Sequence, residues 1–286
     1  LARPRSVQNF PSKLRQCDLW LQDLVAHDID AALYLMFQLA ATSTVGYSAS
    51  HALVCATLCH ILAPEFRLPA HERNSLVRAA FTMNIGMTAL QDTLALQREE
   101  LTPEQQQAVA RHPQAGVELL EALRITDDLW LEVVARHHAP QPEASQLAGL
   151  HAPEQLARIL STIDRYAAMI SPRKSRAGRS ATDSVRAIVG HDRELRDEVG
   201  LTLVRTVGLC PPGTFVRLDN AETAIVLRRS ERANFPLVAG VVDARGEPQS
   251  SPTLYHTVRG QPRIQSALAR SAVTVQLPHR VMVRLG

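Results

Sequence analysis

From Cys17 to Ala40 apolar side chains keep returning to one side of a helix, through Leu21, Leu24, Val25, Ile29, Leu33, Phe37 and Ala40. Asp28 and Asp30 are poor interior residues and mark a candidate boundary between two helices. Thr42 to Ser50, with Gly46, reads as a turn-like break; His51 to Leu62 is the next helix, and Pro64 ends it. His71 to Leu90 is predicted as one helix with the stripe Leu76, Ala79, Ala80 and Met83. Thr102-Pro103-Glu104 is a helix start, a hydroxyl cap followed by proline in the first turn. The helix continues through Gln105 to Arg111, and Pro113 permits a new start that runs to Leu123. Leu129 to His138 is helical and stops near Pro140; residues 141–151 form a loop. Pro153 opens a helix holding Leu156, Ile159, Leu160, Ile163, Tyr166 and Ala167. A basic loop, Arg173 to Ser180, precedes two shorter helices, Thr182 to Val189 and Glu194 to Val207.

At Cys210-Pro211-Pro212-Gly213 the period changes. Thr214 to Leu218 and Ala224 to Arg228 alternate or are β-branched, with Asp219-Asn220 as the turn between them. Leu237 to Val242 and Val273 to Leu277 are further strand candidates. The fold class is therefore mainly α, with a helical core from about residue 15 to 208 and a small β-rich C-terminal module. The expected divisions are an N-terminal helical segment (1–40), the main helical domain (41–208) and the β-rich module (209–286). Composition agrees: 45% of the 286 residues are hydrophobic but only 4% aromatic, so Leu, Ala and Val must fill the core.

Charge narrows the partners. A formal net charge of +3 is too slight to point to DNA or RNA. Lys13 and Lys174 are the only lysines, so a mechanism needing a compact ammonium has few places to find one. Cys17, Cys55, Cys59 and Cys210 show neither paired-knuckle spacing nor a dense disulfide pattern, which suits a reducing cytoplasm. His51, Cys55 and Cys59 can share one helical face as a soft-metal site, though small core side chains are the commoner explanation of such residues. No signal peptide opens the chain, and additional domains before Leu1 are compatible with its abrupt start. Ala31 to Pro64 carries no charge, but Thr42, Ser43, Thr44, Gly46, Ser48, Ser50 and His51 interrupt it, so no membrane span is expected. It reads as buried helix or as a surface covered by a partner subunit.

Chemistry concentrates in His51, His112, the adjacent His137 and His138, and Asp164. Imidazoles and carboxylates suit iron, manganese and zinc, and helices are stiff enough to hold them converging. Neighbours such as His137 and His138 point about 100° apart on a helix, so both reach one site only at a helix end, which Pro140 supplies. Taken singly, each histidine is more simply a satisfied structural residue. Asp164 on an apolar helix face is harder to dismiss, because an unpaired buried carboxylate is costly.

In order, Phe81-Thr82-Met83-Asn84-Ile85-Gly86-Met87, Leu101-Thr102-Pro103-Glu104, His112-Pro113-Gln114-Ala115-Gly116, Val134-Ala135-Arg136-His137-His138 and Ala157 to Tyr166 resemble the HD-GYP domains, bacterial signalling relatives of the HD phosphohydrolases that hydrolyse cyclic di-GMP. The likeness runs from about Ala40 to Ile188 and implies an HD-type helical bundle. It implies metal ligands at His51, His112, His137, His138 and Asp164, with the histidine–aspartate pair of the family falling on Met83 and Asn84. Met87 takes the place of a lysine that helps with phosphate, the Gly-Tyr-Pro signature is absent from the Ala139 to Glu143 stretch, and Arg173 and Arg176 correspond to arginines that touch substrate.

A neutral amide at Asn84 cannot bridge two cations as a carboxylate does, and the Met83 thioether is a poor partner for hard or borderline ions. The metal that would use His51, Met83, Asn84 and Asp164 keeps two good ligands and is expected to be lost. The other keeps His112, His137 and His138, with Asn84 as a weak fourth, and holds one iron, manganese or zinc ion or none. No catalytic residue is assigned. The expected protein is a catalytically degenerate HD-GYP-like sensor or scaffold in second-messenger signalling that binds cyclic di-GMP or a related nucleotide, as a homodimer or with a signalling partner. The alternatives are a live metal-dependent cyclic di-GMP phosphodiesterase with an altered site, and a purely dimerising interaction module.

Overall fold

The computed structural model describes residues 3–42, 46–140, 147–189, 197–232, 235–260 and 262–286. The helical part comprises α1 (Phe10–His27), α2 (Ile29–Thr42), α3 (Tyr47–Leu62), α4 (Ala70–Thr82), α5 (Thr88–Leu96), α6 (Pro103–Ala122), α7 (Asp128–Arg136), α8 (Ala152–Ile170), α9 (Ala181–Val189) and α10 (Glu198–Val207). Five antiparallel strands follow, β1 (Phe215–Leu218), β2 (Thr223–Arg228), β3 (Leu237–Val242), β4 (Pro248–His256) and β5 (Ile264–Leu268), and then α11 (His279–Leu285). The sheet runs β4-β3-β2-β1-β5 and does not close into a barrel.

The two-helix reading of the first apolar run holds, and Asp28 is the joint: its Oδ1 accepts from the Ala31 amide at 3.0 Å, capping α2. The capping box at Thr102 is present, with Gln105 bonding back to the Thr102 amide at 3.0 Å. Within the uncharged stretch Leu33, Tyr34, Phe37, Val54, Leu58 and Leu62 are buried in the chain's own core, while Leu35 is exposed. Among the described residues no helix is long and apolar enough to cross a membrane.

Three expectations are corrected. The helix predicted over 71–90 breaks after Thr82, and a 3-10 turn over Ile85–Met87 leads into α5. Gly86 in that turn lies against α6 so closely that a Cβ there would stand 2.5 Å from the His112 carbonyl oxygen, and a continuous helix could not make that approach. Second, Pro113 starts no new helix; α6 runs through it. Third, Val273 to Leu277 joins no strand: the Val273 and Val275 carbonyls accept from the Arg270 guanidinium instead. The strands that complete the sheet are β4 and β5. Part of the loop predicted at 141–151, and the start of the helix predicted from Glu194, lie outside the described residues.

The sheet docks on α2. Arg228 forks onto Asp28 at 2.7 and 3.0 Å, and Arg229 bonds Asp30 at 2.6 Å. Gln38 donates to the Gly213 carbonyl at 2.5 Å. Gly213 has φ +88°, and a Cβ there would meet the Tyr34 carbonyl oxygen at 2.6 Å, so glycine is required at this contact.

Candidate metal centre

Four helices converge on one polar patch inside the bundle. Helix α3 contributes His51 and, one turn on, Cys55, whose Sγ lies 3.6 Å from His51 Nε2. From α8 comes Asp164, whose Oδ1 is 2.7 Å from the same nitrogen. Helix α6 supplies His112, and the end of α7 supplies His137 and His138.

Two of these rings are oriented by helical carbonyls. A residue at 113 would ordinarily bond its amide to the Val109 carbonyl four positions back; proline has no N–H, so that oxygen is freed. His112 Nδ1 donates to it at 2.6 Å. His137 Nδ1 donates at 2.7 Å to the Val134 carbonyl, one of the last four of α7 and therefore without a partner further along that helix. Since a carbonyl only accepts, both protons are fixed on Nδ1, and each neutral ring turns a bare lone pair outwards at Nε2. Those two Nε2 atoms face each other at 3.1 Å. Two acceptors do not hold each other at that distance; a cation between or beside them resolves the conflict, and the carbonyl bonds are the outer support that metal-ligating histidines ordinarily have.

Protonation is a poor substitute for that cation. Burial, reinforced by the charge of His138, pushes the His137 imidazole down to about 3. Burial also lowers His112. Burial alone would raise Asp164, but the hydrogen bond and charge of His51 outweigh it and hold the carboxyl at about 2.

Among the described residues two three-residue groups have ligand atoms within 4.8 Å of one another: His112, His137 and His138, and His51, Cys55 and Asp164. They adjoin, because His138 Nε2 is 3.9 Å from Asp164 Oδ2. The donor sets fit divalent iron, manganese or zinc at the histidine trio, and a softer ion where the thiol enters.

Of the positions singled out in the sequence, His51, His112, His137, His138 and Asp164 are thus brought together. Met83 is 1% exposed and is part of the hydrophobic core. Asn84 is half-buried where the chain leaves α4, at φ −101° and ψ 12°, and its carbonyl accepts from the Met87 amide at 2.9 Å. Met87 lines an open groove with Gly86, Ala115 and Glu118. Arg173 lies near the centre: its guanidinium stands 5.1 Å over the Tyr47 ring and bonds the Tyr47 hydroxyl at 3.3 and 3.4 Å. Tyr47 in turn stacks on His51, 5.7 Å between centroids and 9° between planes. Arg176 is directed instead to the Ala168 carbonyl at the end of α8.

Sequence reasoning left two good ligands at the first position; the fold adds Cys55. In the sequence Cys55 already pairs with His51 on one helical face; the structure completes that group with Asp164, where the sequence offers Cys59. Tyr47 had no signal at all.

The sequence matches the HD domain over residues 34–198, more than half of the chain, and the protein belongs to that family. Among curated proteins it is similar to the cyclic di-GMP phosphodiesterase PA4108 of Pseudomonas aeruginosa, 28% identical over 190 residues that make up 65% of this chain and 46% of the relative. The chain thus spans about half the length of that protein.

Proposed function

We propose that this chain is a metal-dependent phosphodiesterase acting on a cyclic dinucleotide of the cyclic di-GMP type, working with an altered ligand set. The observation that carries the reading is the pair of bare Nε2 atoms of His112 and His137, 3.1 Å apart, each locked by a backbone carbonyl. A chain that had abandoned metal would have no physical reason to keep two buried lone pairs opposed. His112, His137 and His138 would hold one ion, and His51 and Asp164 would hold the other. A bound divalent ion supplies Lewis-acid polarisation of a phosphoryl oxygen and brings the pKa of a water to about 7.

The chain's own groups do the rest. Arg173, held over Tyr47 beside His51, presents a forked guanidinium to a non-bridging phosphate oxygen. Asp164, kept ionised, contacts both His51 and His138 and fixes the two halves of the centre relative to each other. Arg176, spent on the Ala168 carbonyl, has a smaller part in substrate binding. The free thiols suit the reducing cytoplasm, where a cyclic dinucleotide messenger would be met.

The test is hydrolysis of cyclic di-GMP by the metal-loaded protein with added manganese or iron, with His137→Ala as the blank. Linear product from the parent and none from the variant is expected. Intact substrate in both, with ions demonstrably bound, overturns the reading. One observation favours a second one, a binding or scaffold protein without turnover: Met83 and Asn84 replace the family's bridging pair, and Met83 is buried in the core. Under that reading only Met83→His together with Asn84→Asp produces turnover, while calorimetry still detects nucleotide binding by the parent.

A further inference from the structure

We propose that Cys55 is a metal ligand: with His51 and Asp164 it forms a thiolate-bearing site that takes zinc or a comparable borderline-to-soft divalent cation. The inference rests on the metal-centre reading above and specifies what replaces the ligands lost at Met83 and Asn84.

Three observations carry it. The first is convergence. Cys55 Sγ, His51 Nε2 and Asp164 Oδ1 come from two helices, with sulfur to nitrogen at 3.6 Å, nitrogen to oxygen at 2.7 Å and all ligand atoms within 4.8 Å of one another. The second is an unsatisfied atom. His51 is 3% exposed and its Nδ1 has no hydrogen-bond partner, among few buried side-chain atoms of the described residues so left. With Nε2 donating to Asp164 Oδ1, Nδ1 is left in the interior with nothing to bond. The protein alone therefore leaves this imidazole incompletely satisfied. The third is contrast within one helix: Cys59, a turn beyond Cys55 and equally buried, joins no such group, so a merely space-filling cysteine on α3 looks different.

Binding is an acid–base exchange without redox change. The Cys55 S–H and His51 Nε2–H bonds break, the thiol proton leaves to solvent and the ring keeps its one proton on Nδ1, and the sulfur and Nε2 lone pairs are donated to the cation. A thiolate in place of carboxylate oxygen moves the preference of this position away from manganese and towards zinc, iron or cobalt. Two ions of different softness would then occupy the adjoining trios.

Cobalt(II) tests this independently of turnover. The full chain, stripped with chelator and reloaded with cobalt(II), should develop the near-ultraviolet charge-transfer absorption of a cobalt–thiolate bond and bind two ions per chain. Cys55→Ser should lose that absorption and one of the two ions, while Cys59→Ser keeps both. Two bound ions with no thiolate band in the parent would overturn the assignment of Cys55 and leave the phosphodiesterase reading standing. Retention of the band in Cys55→Ser overturns it as well. No cobalt bound at all defeats both readings. A thiolate band without cyclic di-GMP hydrolysis supports the site and removes the phosphodiesterase. Should Cys55→Ser fail to fold, Cys55→Ala takes its place: loss of the band there but not in Cys59→Ser supports the assignment, and its retention overturns it.

Discussion

Helix α3 carries two buried histidine–carboxylate pairs of almost equal length. His51 meets Asp164 of α8 at 2.7 Å, and His60 meets Asp18 of α1 at 2.8 Å. By distance they are twins, but Asp164 reaches solvent more than Asp18 does, and their surroundings differ. Asp18 also accepts from Gln22 Nε2 at 3.1 Å, and neither it nor His60 has a buried atom left without a partner. The pair ties α1 to α3, and no further ligand group adjoins it among the described residues. Around His51 and Asp164 the accounts are open: a thiol at 3.6 Å, a second imidazole at 3.9 Å from the carboxylate, and an orphaned Nδ1. A buried ion pair is thus no sign of function in itself. Convergence of further ligand atoms is the sign, and only the His51–Asp164 pair of the two has it among the described residues.

The sharpest way to break the comparison is to remove each histidine. His60→Ala strands the Asp18 carboxylate in the interior and should cost about 3–5 kcal/mol in denaturant unfolding, with metal content unchanged. His51→Ala should instead remove one ion per chain, measured by atomic absorption, and bring cyclic di-GMP hydrolysis to background. Loss of metal from His60→Ala would mean that the two pairs are one system. Acid refines this. Burial alone would raise the Asp18 carboxyl, but the His60 and Gln22 hydrogen bonds hold it below its ordinary value. A carboxyl with a depressed folded pKa contributes its full stability above the unfolded value of about 3.9 and loses it as pH falls through the folded one. The stability gap between parent and His60→Ala should therefore narrow below about pH 4.

Next in size is removal of the metal. If free ion stands at about 100 times Kd, stripping it should lower stability by about 2.7 kcal/mol and shift the melting temperature downwards. His60→Ala should keep that shift and His137→Ala should lose much of it. An equal shift in all three would place the ion elsewhere.

The sequence disclosed the helices well, because their apolar stripes recur with the helical period, and it disclosed the candidate ligands His51, His112, His137, His138 and Asp164, which the fold brings together, through their order along the chain. It disclosed less where long-range packing decides. The break after Thr82 depends on Gly86 meeting α6, a contact with a partner distant in sequence. Strand β4 contains Pro248 and Pro252 and is mostly exposed, as an edge strand can be, so no alternation announces it. Cys55 was legible as a soft-metal candidate beside His51, but that Asp164 rather than Cys59 joins them depends on where α8 packs. The Asp18–His60 clamp carried no signal, since histidine periodicity does not say which carboxylate will arrive.

The smallest expected effect tests the most local idea, that a proline inside α6 serves the site. Proline in a helix interior costs about 3 kcal/mol relative to alanine. Here it leaves the Val109 carbonyl free, and His112 Nδ1 takes that oxygen at 2.6 Å. Pro113→Ala restores an amide at the position that claims the same oxygen, so the ring loses its anchor while the helix gains a hydrogen bond. The two readouts should move in opposite directions: a higher melting temperature for the metal-free chain, and zinc or manganese affinity weaker by about 10–100-fold, as for removal of an outer support of a metal-binding histidine. Competition titration with a chromophoric chelator measures the second. Unchanged affinity beside increased stability would show that His112 needs no such anchor, and the contrast between an open, metal-poised centre and a closed structural pair would rest on His51, Cys55 and Asp164 alone.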